Sequence, residues 1–157
     1  MGTTIIGVIG AGSAAPEMLR QAEEVGRLIG RQGHILVCGG LGGVMEAAAR
    51  GAKLAGGTTV GILPEADRST ANQFIDIPVA TGFGEGRNVI IVRTADILIA
   101  IGGEYGTLSE IAFALKMQKP VIGLGSWKIP GVIGAETPQD AVVLAARLAI
   151  QRGKGSS

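Results

Sequence analysis

The sequence predicts an α/β protein built on one doubly wound parallel sheet, with helices on both faces. Short apolar runs alternate along the chain with segments of helical periodicity, and the links between them are brief. Glycine-rich turns follow three of the apolar runs. Hydrophobic residues make up 46% of the chain and aromatic residues only 3%, which favours aliphatic helices packed on a parallel sheet over a β-sandwich.

The first strand and the first helix are predicted over residues 4–9 and 16–33. The strand is apolar and β-branched, and a glycine-containing turn over 10–13 follows it. Pro16 suits the first turn of a helix, where its missing N–H breaks no hydrogen bond. Apolar residues then recur at helical spacing.

A strand, a helix and a second strand are predicted next, over 35–37, 44–55 and 59–63. The first of these strands runs into the sequence GGLGG at 39–43. The helix is rich in alanine and ends at a pair of glycines, which commonly terminate helices. A proline closes the strand that follows.

The middle of the chain carries one ambiguous segment. Residues 65–73 are the most polar stretch and predict a surface loop, and 75–81 predict a weak strand that Pro78 confines to a sheet edge. The β-branched residues at 87–95 favour a strand by propensity. We predict a buried helix instead, because the parallel strand at 97–101 requires a crossover before it.

The strand at 97–101 leads into a second glycine turn and a capped helix. Its unbroken apolar run is typical of a strand buried on both faces. After the turn, Thr107 and Glu110 have the spacing of a capping box, which predicts a helix over 107–118 with Thr107 at its start.

The C-terminal part is predicted as a buried strand at 121–124, a loop over 125–136 and a helix from 137 to about 152. Thr137 has the position of an N-cap, with a proline and then an acid behind it. We expect a single domain over residues 1–152 and a disordered tail over 153–157.

Charge and cysteine content exclude several classes of function. The net charge of +1 does not favour a nucleic-acid partner. The single cysteine, Cys38, excludes a disulfide framework and a multi-cysteine zinc site, and we predict no metal site and no required cofactor. The chain has neither a leader pattern nor an apolar run of bilayer length. We therefore expect a cytoplasmic protein with no membrane partner.

The glycine turns are the candidate ligand site, because the carboxyl ends of parallel strands share one edge of the sheet. Glycine allows close approach of the backbone, and the N–H groups at helix starts attract anions. Tight packing between helix and sheet is the alternative role for the same glycines. The predicted phosphate-binding residues are Gly10, Gly12, Ser13, Gly39, Gly40, Gly42, Gly43, Gly102, Gly103, Gly106 and Thr107.

Two familiar nucleotide motifs are incomplete. Gly10 and Gly12 belong to a G-x-G-x-x-A pattern, but the second strand ends in Cys38 and glycines, without the acid that would bind a ribose hydroxyl of NAD. No Lys-Ser or Lys-Thr follows the second glycine run, so that run is not a Walker A loop. The glycines at 10 and 12 either form a tight strand-to-helix turn or contact a nucleotide, and a phosphate cradle is the favoured role of the glycines at 39–43.

Three side chains near these turns have two interpretations each. Glu110 is either the second member of a capping box or a catalytic carboxylate. Arg87 is either a solvated arginine at a helix start or a cation beside the anion site. Trp127, the only tryptophan, either lines a pocket for a base or covers the edge of the sheet.

The sequences CGGLGGVMEAAARGA (38–52) and GRNVIIVRTADILIAIGGEYGTLSE (86–110) resemble those of the LOG-like Rossmann superfamily, once labelled "possible lysine decarboxylases". The resemblance covers nearly the whole chain. It is strongest to the branch of the molybdenum cofactor carrier proteins. It implies a Rossmann-like fold and a homo-oligomer, either a dimer or a tetramer.

The LOG branch implies a phosphoribohydrolase that cleaves the N-glycosidic bond of a nucleoside 5′-monophosphate. Glu110 and Arg87 match its catalytic glutamate and arginine, and the glycines of the second turn match its Pro-Gly-Gly-x-Gly-Thr-x-x-Glu motif. The sequence departs from that motif in three ways. Ile101 replaces the proline, one extra residue precedes Gly106, and Asn88 replaces a lysine.

The carrier branch implies binding of a phosphorylated pterin cofactor without turnover. We therefore expect a carrier-type protein for a phosphorylated ligand. The bound molecule is expected to be a nucleotide, phosphate or molybdenum cofactor. The alternative is a LOG-type hydrolase in which Glu110 activates water or stabilises positive charge on the ribose, while Arg87 orients the sugar phosphate.

Overall fold

The computed structural model describes residues 3–155, which fold into one parallel sheet of seven strands with helices on both faces. The strands are β1 Ile5–Gly10, β2 Ile35–Cys38, β3 Thr58–Leu63, β4 Ile77–Ala80, β5 Ile97–Ile101, β6 Val121–Leu124 and β7 Val132–Ala135. The helices are α1 Pro16–Arg31, α2 Val44–Leu54, α3 Arg87–Thr94, α4 Tyr105–Lys116 and α5 Pro138–Gly155, with short 3₁₀ turns at Arg68–Thr70 and Gly84–Gly86. The predicted fold class is confirmed.

The strand order β4-β3-β2-β1-β5-β6-β7 shows how the chain winds. From β1 the chain proceeds outward to β4 at one edge, then crosses back to β5 and proceeds to β7 at the other edge. The winding therefore reverses between β1 and β5, which pair in parallel with Gly10 opposite Ile101. In open α/β sheets a crevice forms at such a reversal, beyond the carboxyl ends of the strands.

Two apolar cores lie on the two faces of the sheet. Helices α1, α2 and α5 pack on one face, against strand residues that include Ile6, Val8 and Ile99. Helices α3 and α4 pack on the other face, against residues that include Ile9 and Leu98. All five residues of β5 are buried, because both faces of this strand are covered.

Helix α3 forms despite its β-branched sequence, as the crossover argument predicts. Ile91 and Val92 are buried against the sheet, so tertiary packing overrides the weak helix propensity. The end of the helix is fixed by Lys119, whose ammonium group donates to the carbonyl oxygens of Val92, Arg93 and Ala95 at 2.7, 2.7 and 2.6 Å. A lysine at this end also complements the helix dipole.

Three expectations are corrected. The predicted loop at 125–136 contains the edge strand β7, whose residues 132–135 pair with β6. Helix α4 begins at Tyr105, two residues before the predicted start. Helix α5 extends to Gly155, through the first part of the predicted tail, and residues 156–157 lie outside the described part of the chain.

Two local expectations agree with the structure. Strand β4, which contains Pro78, lies at the edge of the sheet. The side chain of Thr137 caps α5 by accepting a hydrogen bond from the Asp140 N–H at 3.1 Å.

Between residues 3 and 155, no helix combines the length and the apolar character needed to cross a bilayer.

Helices α1 and α2 approach each other at glycines. A Cβ atom added at Gly26 would overlap the carbonyl oxygen of Ala48, and one added at Gly51 would overlap the carbonyl oxygen of Glu23. The obstructing atoms are backbone atoms of the facing helix, so they cannot move aside as a flexible side chain would. The close contact of these helices therefore requires residues without a side chain at both positions.

We expect Gly26→Ala to lower the free energy of unfolding by about 2 kcal/mol, because the overlap outweighs the better helix propensity of alanine. Thermal unfolding should show a melting temperature lower by about 4–8 °C. Gly153→Ala on α5 is the control, since apart from its chain neighbours and its own helix backbone no atom of residues 3–155 lies within 4 Å of the added Cβ. Equal melting temperatures for Gly26→Ala and the wild type would contradict this account of the helix contact.

Candidate functional site

A cleft of about 320 Å³ lies where the sheet reverses its winding, above the carboxyl ends of β1 and β2 and beside the start of α4. Its walls come from the loops after β1 and β5 and from the first turn of α3. The lining residues are Val8, Ile9, Gly10, Ala11, Gly12, Gly39, Met45, Glu85, Arg87, Asn88, Glu104, Gly106, Thr107 and Glu110.

Arg87 is the first residue of α3 and lies buried in this cleft, with 8% of its surface exposed. Its guanidinium group rests against Gly39, where an added Cβ would be 2.9 Å from Nη2. Nη1 donates a hydrogen bond to the side-chain oxygen of Asn88. Nε has no hydrogen-bond partner among residues 3–155, and no carboxylate of those residues forms an ion pair with Arg87. The buried cation therefore has unused donor capacity.

Glu110 faces the same cleft and is 6% exposed. Burial raises the pKa of its carboxyl to about 8; the positive charge of Arg87 opposes this shift and the negative charge of Glu85 adds to it. The carboxyl is therefore mostly protonated at pH 7. A neutral carboxyl can both donate and accept a hydrogen bond, whereas a carboxylate only accepts.

The capping-box interpretation of Glu110 is wrong. Helix α4 begins at Tyr105, with Glu104 as N-cap and no side-chain hydrogen bond to the cap. Thr107 is thus already helical, and Glu110 lies in the interior of the helix, on the side that faces the cleft. Positive φ angles at Gly102 and Gly103, 54° and 108°, turn the chain early enough for this start.

The predicted glycines fall into two groups. Gly10, Gly12, Gly39, Gly106 and the neighbouring Thr107 line the cleft together with Arg87 and Glu110. The remaining predicted residues do not line it. They are Ser13, Gly40, Gly42, Gly43, Gly102 and Gly103.

The GGLGG loop contributes mainly to packing. Gly40 has a φ of 77°, and a Cβ there would be 2.6 Å from the Leu63 side chain. Gly43 has a φ of 65°, and a Cβ there would overlap the backbone of Ala11 and Gly12. The first N–H of α2, that of Val44, donates to the Ala11 carbonyl at 3.0 Å. This N–H is the first that α2 would offer to a bound phosphate, and a carbonyl group of the protein already accepts its hydrogen bond.

Gly102 and Gly103 open onto a second cavity of about 320 Å³ next to the cleft. A Cβ at Gly102 would overlap the thioether of Met18, and one at Gly103 would be 2.5 Å from the Thr107 side chain. Trp127 lines this second cavity, and its indole N–H donates to the Glu104 carbonyl at 3.3 Å.

Sequence reasoning did not select Glu85, Asn88 or Glu104 as site residues. Glu85 and Glu104 each lie within a glycine-rich turn, so their position in the sequence was a usable signal. Asn88 follows Arg87 directly and accepts its hydrogen bond, a role that only the burial of both side chains reveals. Cys38 is buried as a neutral thiol, because burial raises its pKa to about 11.

The fold and the cleft define a Rossmann-like α/β protein with a polar crevice at the point of reversal. The chain belongs to the SLOG cluster4 family, whose profile matches residues 3–150. The resemblance to LOG-like proteins is confirmed.

Two solved structures are similar over nearly their full length. One is the molybdenum cofactor binding protein of Rippkaea orientalis, at 40% identity and a TM-score of 0.90, with 94% of this chain and 98% of that chain covered. The other is the molybdenum cofactor carrier protein of Chlamydomonas reinhardtii, at 36% identity and a TM-score of 0.85, with 95% and 99% covered.

Two relatives were found by sequence. An uncharacterised protein of Archaeoglobus fulgidus is 54% identical over 141 residues, which cover 87% of this chain and 91% of that protein. A cytokinin riboside 5′-monophosphate phosphoribohydrolase of Mycobacterium tuberculosis is 33% identical over 121 residues, which cover 71% and 64%.

The titration of Glu110 should make stability depend on pH. The folded state holds the proton to about pH 8 and the unfolded chain releases it near 4.5, so the free energy of unfolding falls as pH rises between these values. At each pH we compare the melting temperature of the wild type with that of Glu110→Gln. From pH 5 to pH 8.5, we expect the wild type to lose roughly 5 °C or more relative to the variant.

Glu65→Gln, at an exposed position outside the cleft, is the matched control and should keep the wild-type profile. Parallel pH profiles of the melting temperature for the wild type and Glu110→Gln would show that this carboxyl does not titrate in the range expected.

Proposed function

We propose that the protein is a carrier-type binding protein for a phosphorylated small ligand, molybdenum cofactor or a nucleotide, whose phosphate occupies the cleft beside Arg87. The observation that carries the proposal is the buried guanidinium of Arg87, which has an unpaired Nε and no acidic ion-pair partner in residues 3–155. A desolvated cation without a counter-charge is unfavourable, and a bound phosphate would supply both charge and hydrogen-bond acceptors.

The start of α4 supports the same position for the phosphate. The first intrahelical hydrogen bond there runs from the Leu108 N–H to the Glu104 carbonyl at 3.0 Å, so the N–H groups of the preceding turn have no partner within the helix. Gly106 lies in that turn and lines the cleft, and apart from its chain neighbours and its own helix backbone no atom of the described residues lies within 4 Å of a Cβ added to it. A phosphate could therefore approach the backbone closely, at the positive end of the helix dipole.

The size of the cleft and the similarity to known proteins support a binding role. A volume of about 320 Å³ lies at the lower end of the range of small-molecule sites, about 300–1,000 Å³. The structures from Rippkaea orientalis and Chlamydomonas reinhardtii are those of proteins that bind or carry molybdenum cofactor. The proposal includes self-association of the chain, as a dimer or a tetramer, in the cytoplasm.

We expect Arg87→Met to weaken binding of phosphate esters by about tenfold or more, because it removes charge-assisted hydrogen bonds. Without ligand, the variant should be as stable as the wild type or more stable, since an apolar side chain replaces an unpaired buried charge. Isothermal titration with ribose 5-phosphate measures the first effect, and thermal unfolding in a phosphate-free buffer measures the second.

Arg93→Met is the matched control, because Arg93 lies on the same helix but is exposed and outside the cleft. It should bind ribose 5-phosphate as the wild type does. Arg87→Lys keeps the charge but not the planar donor set, and we expect intermediate affinity. The proposal is abandoned if neither inorganic phosphate nor any phosphate ester binds the wild type, or if Arg87→Met binds them unchanged.

Phosphoribohydrolysis is the second candidate, because Arg87 and Glu110 share the cleft and a relative at 33% identity is a phosphoribohydrolase. The test is incubation with a panel of nucleoside 5′-monophosphates and chromatographic detection of the free base. If the protein is a carrier, the wild type should release no more free base than Glu110→Gln does. Release by the wild type that Glu110→Gln abolishes would replace the carrier proposal with the enzymatic one.

A further inference from the structure

The second cavity has no role in the proposed phosphate site. Its volume is about 320 Å³, and the 102–106 loop borders both spaces, with Gly102 and Gly103 lining the cavity and Glu104 and Gly106 lining the cleft. Its lining combines an indole, a thioether, a hydroxyl and three glycines. These residues are Met18, Gly102, Gly103, Gly125, Ser126 and Trp127.

Trp127, which lines this cavity, forms an aromatic pair with Tyr105. The rings of Tyr105 and Trp127 are stacked, with centroids 6.2 Å apart and an angle of 29° between their planes. The hydrogen bond from the indole N–H to the Glu104 carbonyl ties Trp127 to the loop that lines the cleft. The chain has only five aromatic residues, so two of them at one edge of the sheet is a marked concentration.

Packing alone does not account for the pair. Tyr105 is 82% exposed, so it buries little surface and contributes little to the hydrophobic core. Trp127 is half-buried against the α3–α4 core and also lines the open cavity. An exposed ring stacked on a second ring that lines a cavity is an arrangement suited to a flat ligand.

We propose that this cavity binds the planar heteroaromatic ring, a purine or a pterin, of the same ligand whose phosphate lies beside Arg87. Trp127 supplies a stacking surface, and the Met18 thioether supplies a polarisable wall that adapts to the ring. Gly125 leaves room there, since apart from its chain neighbours no atom in the described part of the chain lies within 4 Å of a Cβ added to it. This inference rests on the proposed function and adds a second subsite to it.

The test compares ligands that share a phosphate but differ in the ring. The probes are GMP, AMP, a pterin phosphate monoester, ribose 5-phosphate and inorganic phosphate, titrated calorimetrically. We expect at least one ring-bearing phosphate to bind about tenfold or more tightly than ribose 5-phosphate. The same ligand should quench the fluorescence of Trp127, the only tryptophan in the chain, after correction for ligand absorption. Ribose 5-phosphate should not.

Variants assign the extra affinity to the aromatic pair. In Trp127→Leu, the ring-bearing ligand should no longer bind more tightly than ribose 5-phosphate, whose own affinity should be unchanged. Trp127→Phe should retain most of the difference in affinity between the two ligands. Tyr105→Leu changes an exposed side chain, so it tests the pair even if Trp127→Leu does not fold. Phe113→Leu, on the outer part of α4, is the control and should bind as the wild type does.

The outcomes separate this inference from the proposed function. If ribose 5-phosphate binds but no ring-bearing phosphate binds more tightly, the second subsite is wrong and the phosphate site stands. The subsite is also wrong if the Trp127 and Tyr105 variants leave the preference for the ring unchanged. If no phosphate or phosphate ester binds at all, the proposed function itself has failed.

Discussion

The unpaired guanidinium of Arg87 is the feature on which the cleft depends. It is unfavourable in three ways: the group is buried, it lacks an acidic ion-pair partner among residues 3–155, and it stands at the positive end of α3. The fold nevertheless holds it there. Gly39 leaves the space that the guanidinium fills, Asn88 accepts one of its hydrogen bonds, and Lys119 fixes the far end of α3. Such a maintained local cost is the observation on which the proposed phosphate site rests.

Glycines perform two different tasks around this arginine. Gly43 and Gly102 are required by contacts within the protein, with the backbone of Ala11 and Gly12 and with the Met18 thioether. Gly106 has open space before it and lines the cleft. The packing glycines bring the loops close together, and the open glycine leaves a surface that a ligand can reach.

Much of the fold could be predicted from the sequence, because buried parallel strands appear as short apolar runs and topology requires a crossover at 87–95. Strand β7 was not predicted because two of its four residues are exposed, the other two are only half-buried, and the sequence carries no clear alternation. The site was predictable only in outline. Whether a glycine faces a cavity, or Glu110 a cleft, depends on which neighbours fill the adjacent space, and those neighbours are distant in sequence.

The protonation state of Glu110 bears on the choice between binding and turnover. Activating water, or stabilising positive charge on a ribose, requires the ionised carboxylate, whereas burial holds the pKa near 8. A phosphate bound beside Arg87 would place further negative charge nearby and raise that pKa more. Phosphate binding would thus favour the neutral acid, which can share a hydrogen bond with the ligand. The same charge balance that suits binding of a phosphorylated ligand therefore works against activation of water by Glu110, and leaves this residue only the role of an acid.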